Sequence, residues 1–176
     1  MFIIGHIGLT IAIIIIGLIL FKRTDLLQKL DFRVIAVFAI LPDILDKTIG
    51  HLIFQDSLNN GRLFSHSLVF LILFTLIFYF IVRVHWWAYV FPIATHQIFD
   101  LLWWSPKAWY WPAYGWGFDR LHRDVWAHWL DALINDPYIK ITEVAGLLAI
   151  VIIFMYFQMY KRENFTNMIR TGRFRL

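Results

Sequence analysis

Three histidines and four carboxylates stand out in the sequence because each lies near one end of a long apolar stretch. They are His6, Asp43, Asp46, His66, His96, Asp100 and Glu143. Asp43 and Asp46 are three residues apart, and His96 and Asp100 are four apart, so each pair shares one face of a helix. Carboxylates packed together repel one another, and a divalent cation that also accepts imidazole ligands relieves this repulsion. The seven residues therefore predict a metal centre.

Seven candidate ligands exceed the four of a tetrahedral site, so the pattern allows either one metal ion or two. The chain contains no Cys, and mixed imidazole and carboxylate ligation favours Zn, with Mn or Fe as alternatives. A metal centre of this kind supports hydrolysis. In that chemistry Asp46 or Glu143 is the predicted general base, and Arg62 is predicted to stabilise charge on phosphoryl oxygens.

Other residues are predicted to assist the centre without binding metal. Ser67 follows His66 and Thr95 precedes His96, so each hydroxyl is a candidate to orient the neighbouring imidazole. The predicted rim of the substrate site consists of Arg62, Trp103, Trp111 and His122. Because Trp favours the membrane interface, an interfacial aromatic belt is an alternative explanation of the Trp residues.

Each candidate ligand also has a simpler explanation when it is taken alone. His6 is compatible with a histidine hydrogen-bonded within its helix, and Asp43 and Asp46 with a solvated cap after Pro42. Glu143 begins a helix, where the helix dipole favours a carboxylate. The prediction of a shared site rests on the convergence of all seven residues at one membrane face.

The composition shows which elements must position these residues. Of 176 residues, 60% are hydrophobic, 19% aromatic and only 16% charged, and the mean hydropathy is +0.66. These values exclude a soluble enzyme, a disordered chain and a disulfide scaffold. Four apolar stretches are long enough to cross a bilayer core of about 30 Å, and a fifth is shorter. The four are 2–21, 63–82, 86–104 and 141–160, and the fifth is 32–45.

The predicted fold is an all-α polytopic membrane helical bundle of about five transmembrane helices, with an interfacial helix within 119–131. Residues 1–160 form one predicted domain, and 161–176 form a basic C-terminal tail. Threading five spans divides the sixteen Lys and Arg into ten on one side and six, including Arg123, on the other. This distribution predicts a cytoplasmic C-terminus, with the N-terminus and the site outside. No basic cluster lies on a solvated face, so nucleic acid is not an expected partner.

The order of the polar motifs resembles the YdjM-type membrane-bound metal-dependent hydrolases, also called LexA-binding, inner-membrane-associated hydrolases. The matching motifs span residues 5–146: GH at 5–6, LPDILDK at 41–47, GRLFSHS at 61–67, THQIFD at 95–100, SP…WP at 105–112, and Glu143. The resemblance implies an inner-membrane location. It also implies a helical metal site similar to that of zinc-dependent phospholipase C. The family pattern reads LPDIDH where this chain has LPDILDK, so Lys47 takes the place of a histidine. Gly61 takes a position at which the family often has a further histidine.

Together these features predict an integral membrane metal-dependent hydrolase whose substrate is a membrane lipid, cleaved at a phosphoester near the headgroup plane. Two alternatives remain from other classes of protein. In a cation or proton transporter the polar residues would continue through the full membrane depth, whereas here the inner halves of the spans are apolar. In a non-catalytic interaction or scaffold protein the basic tail would dock a partner or anionic lipid.

Overall fold

The computed structural model describes residues 1–122 and 124–175, so Arg123 and Leu176, counted above in the topology and the tail, lie outside it. Within the described residues all regular structure is helical, which confirms the predicted all-α class. The eight α-helices are α1 (Ile3–Leu20), α2 (Phe32–Lys47), α3 (Leu68–Ile81), α4 (Trp87–Phe99), α5 (Pro106–Trp109), α6 (Val125–Asn135), α7 (Pro137–Tyr156) and α8 (Arg162–Thr171). Short 3₁₀ or π turns connect several of them.

Two of the described helices, α1 and α7, have the length and the apolar composition needed to cross a membrane. They contain 18 and 20 residues with mean hydropathies of 2.7 and 2.1. The apolar helix α3 has 14 residues, while α2 has 16 and α4 has 13. The structure thus supports a membrane protein but gives fewer full-length spans than the five predicted. The stretches at 63–82 and 86–104 are only partly helical, since α3 begins at Leu68 and α4 ends at Phe99.

The helices α1 and α7 pack closely because glycines line their contact. A Cβ atom added to Gly8 would lie 2.1 Å from the Gly146 carbonyl oxygen, and one on Gly146 would lie 2.6 Å from the Gly5 Cα. Small residues allow two membrane helices to approach backbone to backbone. This contact places the N-terminal turn of α1 beside the first turns of α7, at one end of the bundle.

The helix α2 packs against both α1 and α4, and its buried face changes character along its length. Phe32, Ile35 and Ala39 are buried in the first half, and Asp43 and Asp46 continue the same face in the second half. The spacing of three or four residues between them keeps all five side chains on one side of the helix. The face that forms the apolar core therefore ends in two carboxylates.

The opposite end of the bundle is closed by the residues predicted as a basic tail, which form α8 and a short extension. Phe174 stacks on Phe157 with ring centroids 4.0 Å apart, and its amide donates to the Leu27 carbonyl. Arg33 donates to the carbonyls of Ile169 and Arg170 near the end of α8. Arg33 also donates to Asp31, which lowers the pKa of that carboxyl below its usual value.

The helix α6 occupies the place of the predicted interfacial helix but begins later than expected. Asp124 caps it, since its carboxylate accepts from the Ala127 amide at 3.0 Å. Trp126, Leu130 and Ile134 are exposed along the helix. The spacing of these apolar residues by four makes one exposed apolar stripe, which is the pattern of a helix lying in a membrane interface.

Candidate metal centre

Four of the seven predicted ligands come together in one buried group. Asp43, His66, His96 and Asp100 each offer a ligand atom, and these four atoms lie within 4.8 Å of one another. Both imidazoles are fully buried, and the two carboxylates are 5% and 7% exposed. Asp43 belongs to α2, His66 to the turn before α3, and His96 and Asp100 lie at the C-terminal end of α4. Residues from distant parts of the sequence therefore meet at one end of the bundle.

The two histidines turn the same ring atom toward the group. The Nδ1 of His66 is 2.7 Å from an Asp46 carboxylate oxygen, and the Nδ1 of His96 is 2.8 Å from the Ala39 carbonyl oxygen. Both partners only accept hydrogen bonds, so each Nδ1 carries a proton and each ring turns its Nε2 toward the group. The two Nε2 atoms are 3.2 Å apart, a separation that a cation between them, a proton or a metal ion, would bridge.

Four of the separations between the donor atoms are close to those around a tetrahedral metal ion. Bonds of about 2.0–2.1 Å place neighbouring donors of a regular tetrahedron about 3.3 Å apart. Besides the 3.2 Å between the two Nε2 atoms, the distance from His66 Nε2 to Asp43 is 3.6 Å and to Asp100 is 3.8 Å. His96 Nε2 lies 3.9 Å from Asp43. Two imidazoles and two carboxylates are a donor set that suits Zn, and also Mn or Fe.

Asp46 was predicted to be a ligand or a base. In the structure it lies behind His66 and outside the group of four. Its two oxygens accept from the backbone amides of Leu63, Ser65 and His66 and from the His66 imidazole. With both oxygens bonded inside the protein, the side chain has no oxygen directed at the group. A carboxylate hydrogen-bonded to the far nitrogen of a ligating histidine fixes the orientation and tautomer of the ring.

His6 and Glu143 also lie beside the group of four and not within it. His6 Nε2 contacts Asp100 Oδ1 at 3.1 Å, and its ring stacks on His96 with centroids 4.0 Å apart. The terminal ammonium of Met1 contacts the same Asp100 oxygen at 2.8 Å. Glu143 accepts from the backbone amides of Phe2 and Gly5. Glu143 thus holds the first turn of α1, and His6 orients a candidate ligand.

The two hydroxyls predicted to orient the histidines have other partners. Ser67 caps α3, since it accepts from the Phe70 amide and donates to the Phe64 carbonyl. Thr95 donates to the Pro92 carbonyl and lies 2.9 Å from the Thr10 hydroxyl of α1. The orienting groups are instead Asp46 and the Ala39 carbonyl, both of which belong to α2.

A cavity of about 590 Å³ opens beside the group, and Asp43 and Asp100 form part of its wall. Arg62 lines the cavity, with its guanidinium 3.7 Å from the Asp100 carboxylate and 3.1 Å from the Ser105 hydroxyl. The other predicted rim residues lie elsewhere: Trp103 packs on Trp109, Trp111 packs on Phe64, Trp116 and Phe118, and His122 is exposed. The Phe and Trp residues that do line the cavity are Phe2, Phe118 and Trp129.

Several polar residues of the cavity wall were not among the predicted site residues. They include Lys47, His51 and His128. Lys47 and His51 are four apart in a stretch where α2 continues into a π turn at Thr48–Ile53, so they extend the polar face that Asp43 begins. That spacing was visible in the sequence. The position of His128 depends on how α6 packs over the cavity, which no local pattern contains.

The fold and the site together define an all-helical membrane protein with a buried histidine and aspartate cluster that could hold a metal ion. Residues 1–165 match the model of the family described as YdjM inner membrane protein. The chain belongs to that family, which confirms the resemblance of its motifs and supports a membrane location. Comparison with the curated proteins and with the solved structures finds no match.

Proposed function

We propose that the protein is an integral membrane hydrolase that uses a divalent metal, most simply Zn, to cleave a phosphoester of a membrane lipid at the headgroup plane. The observation that supports this proposal best is the pair of imidazole Nε2 atoms 3.2 Å apart between two buried carboxylates. Charged and polar groups are costly inside a membrane protein, and they are usually functional. Here four of them face one another, and two of the four, Asp43 and Asp100, line a cavity.

In this proposal Asp43, His66, His96 and Asp100 hold the ion. When bound, the ion supplies Lewis acidity, which activates water and polarises a phosphoryl oxygen. Neither Asp46 nor Glu143 lines the cavity, so neither is placed to accept a proton from water there. Arg62 presents a guanidinium to the same space, where it can bind phosphoryl oxygens in a bidentate manner.

We propose that five helices cross or enter the bilayer, namely α1, α2, α3, α4 and α7. The helix α3 exposes Ile72, Leu73, Leu76, Ile77 and Phe80, which suits contact with lipid tails. The Lys and Arg distribution favours a cavity on the outer side and a cytoplasmic C-terminus. The exposed apolar stripe of α6 then lies in the interface beside the cavity, at the depth of lipid phosphates.

The first test is the metal content of the purified full chain in nanodiscs, measured by elemental analysis. Wild type is expected to retain a divalent ion, and His66→Ala and Asp100→Asn are expected to lose it. His85→Asn is the matched control, because His85 lies between α3 and α4 with a positive φ of 56° that Asn tolerates. Wild type without metal after loading, or unchanged metal in both variants, contradicts the proposed centre.

The second test is hydrolysis of a panel of phospholipids and polyprenyl phosphates by the same samples. Release of a phosphorylated or dephosphorylated product is expected in wild type, with loss on chelation and recovery when the ion is restored. The interaction-protein alternative predicts no turnover of any lipid in the panel, with the metal absent or merely structural. The transporter alternative predicts ion flux in sealed vesicles without lipid turnover.

A further inference from the structure

The two carboxylate oxygens of Asp43 have different partners, the Lys47 ammonium and the two imidazoles. The Lys47 ammonium is 2.6 Å from Asp43 Oδ2, whereas Asp43 Oδ1 is the oxygen directed at His66 and His96. Only one oxygen of this candidate ligand therefore faces the imidazoles. The other oxygen already contacts a positive charge that belongs to the protein.

The remaining carboxylates of the site leave no second set of ligands. Both oxygens of Asp46 accept backbone or imidazole hydrogen bonds, and both oxygens of Glu143 hold the start of α1. Asp100 Oδ1 contacts His6. A second ion about 3.5–4 Å from the first would need donors of its own, and the described residues offer one set of four.

We propose that the centre binds a single metal ion, and that Lys47 and Arg62 supply the positive charge that a second ion would otherwise bring to a phosphate group. This inference rests on the proposed function and assigns to it the phosphate-recognition residues. Lys47 lines the cavity together with Arg62. The Lys47 ammonium contacts Asp43 Oδ2, and the Arg62 guanidinium lies 3.7 Å from Asp100 Oδ2. A phosphate entering the cavity meets these two positive groups beside the metal ligands.

The surroundings of Lys47 hold its ammonium at the cavity wall. The nitrogen lies 5.2 Å from the centre of the Trp129 ring, within the range of a cation–π contact. A Cβ atom on Gly61 would lie 3.1 Å from Lys47 Cγ, so the glycine makes room for the lysine stem. The side chain is 28% exposed, and its ammonium has three donors. It can therefore bind a phosphate oxygen while it keeps Asp43 in place.

The experiment measures metal stoichiometry and phosphate binding without any turnover. Metal-stripped protein in nanodiscs is titrated with Zn²⁺, and the zinc-loaded protein is then titrated with inorganic phosphate in a calorimeter. We expect one zinc per chain in both wild type and Lys47→Gln. Phosphate binding is expected to weaken about 10-fold or more in Lys47→Gln, the loss of one charge-assisted hydrogen bond. Lys47→Arg should restore most of it.

Lys29→Gln is the matched control. Lys29 forms the same i, i+4 pair with an aspartate, at 2.7 Å from Asp25, but it lies at the opposite end of the bundle. Phosphate binding in this variant should stay within about 2-fold of wild type. Two zinc ions per wild-type chain, or equal phosphate affinity in wild type and Lys47→Gln, overturns this inference and leaves the metal centre intact. A wild-type chain that binds no zinc overturns the proposed function itself.

Discussion

Asp46→Asn tests whether the buried carboxylate behind His66 orients that ligand without binding metal. The side chain is 1% exposed and accepts four hydrogen bonds. Its Oδ2 accepts three of them, from the His66 Nδ1 at 2.7 Å and from the backbone amides of Leu63 and His66. Its Oδ1 accepts the fourth, from the Ser65 amide at 3.1 Å. Asparagine has nearly the same shape but only one acceptor oxygen and no charge.

The size of the effect follows from this hydrogen-bond pattern. The best orientation of the substituted asparagine side chain keeps its oxygen at the Oδ2 position and turns its NH₂ toward the Ser65 N–H, which loses its partner. An unsatisfied buried amide costs about 1–3 kcal/mol of unfolding free energy. The bond to His66 persists as a neutral one, so the imidazole becomes a weaker ligand. Loss of such a partner weakens metal affinity about 10–100-fold, which is about 1.4–2.7 kcal/mol.

The assay is competition for Zn²⁺ between the nanodisc-embedded protein and a chromophoric chelator, with thermal unfolding measured alongside. Asp43→Asn removes a proposed ligand and should lower affinity by more than Asp46→Asn does. Asp25→Asn makes the same substitution in an exposed pair at the far end of the bundle and should change nothing. An affinity equal to wild type would refute the orienting role. A loss as large as that of Asp43→Asn in a folded protein would make Asp46 a ligand.

Three other substitutions test the elements that position the site. Gly146→Val should lower the unfolding temperature and detach α1 from α7, since even a Cβ there meets backbone at 2.6 Å; unchanged unfolding would contradict the close contact. Ala39→Leu should weaken zinc binding about 10-fold or more by blocking the carbonyl that orients His96; the competition assay would show no change if that hydrogen bond were dispensable. Phe174→Ala should cost about 3–5 kcal/mol of unfolding free energy. It should leave zinc affinity unchanged, because the ring packs on Phe157 at the end of the bundle opposite the metal centre. Loss of zinc binding in this variant would show that the two ends are not independent.

The convergence of the polar residues could be predicted from the sequence because it depends on span order. Helices that alternate in direction bring the end of one span beside the start of the next, so polar groups near those ends share one membrane face. All seven predicted residues do lie at one end of the bundle in the structure. The pairs spaced by three or four residues also lie on common helix faces, since that spacing depends only on helix geometry.

The division of that set into ligands and supporting residues could not be predicted in this way. Asp46 is three residues from Asp43, yet its oxygens meet the backbone amides of the turn at 63–66, whose position is set by packing between distant segments. Glu143 likewise meets the amides of Phe2 and Gly5. The contacts of Asp46 also explain why the apolar stretch 63–82 is not α-helical from its start. Asp46 binds amides of the turn before α3, and Ser67 caps the helix from Leu68 onward.

The helix α2 determines the orientation of both histidine rings, although neither belongs to it. Ala39 supplies the carbonyl that fixes His96, and Asp46, seven residues later on the same face, supplies the carboxylate that fixes His66. Asp43 lies between them and faces both Nε2 atoms. One helix face therefore directs two Nε2 atoms toward each other at 3.2 Å, an arrangement that a cation between them stabilises.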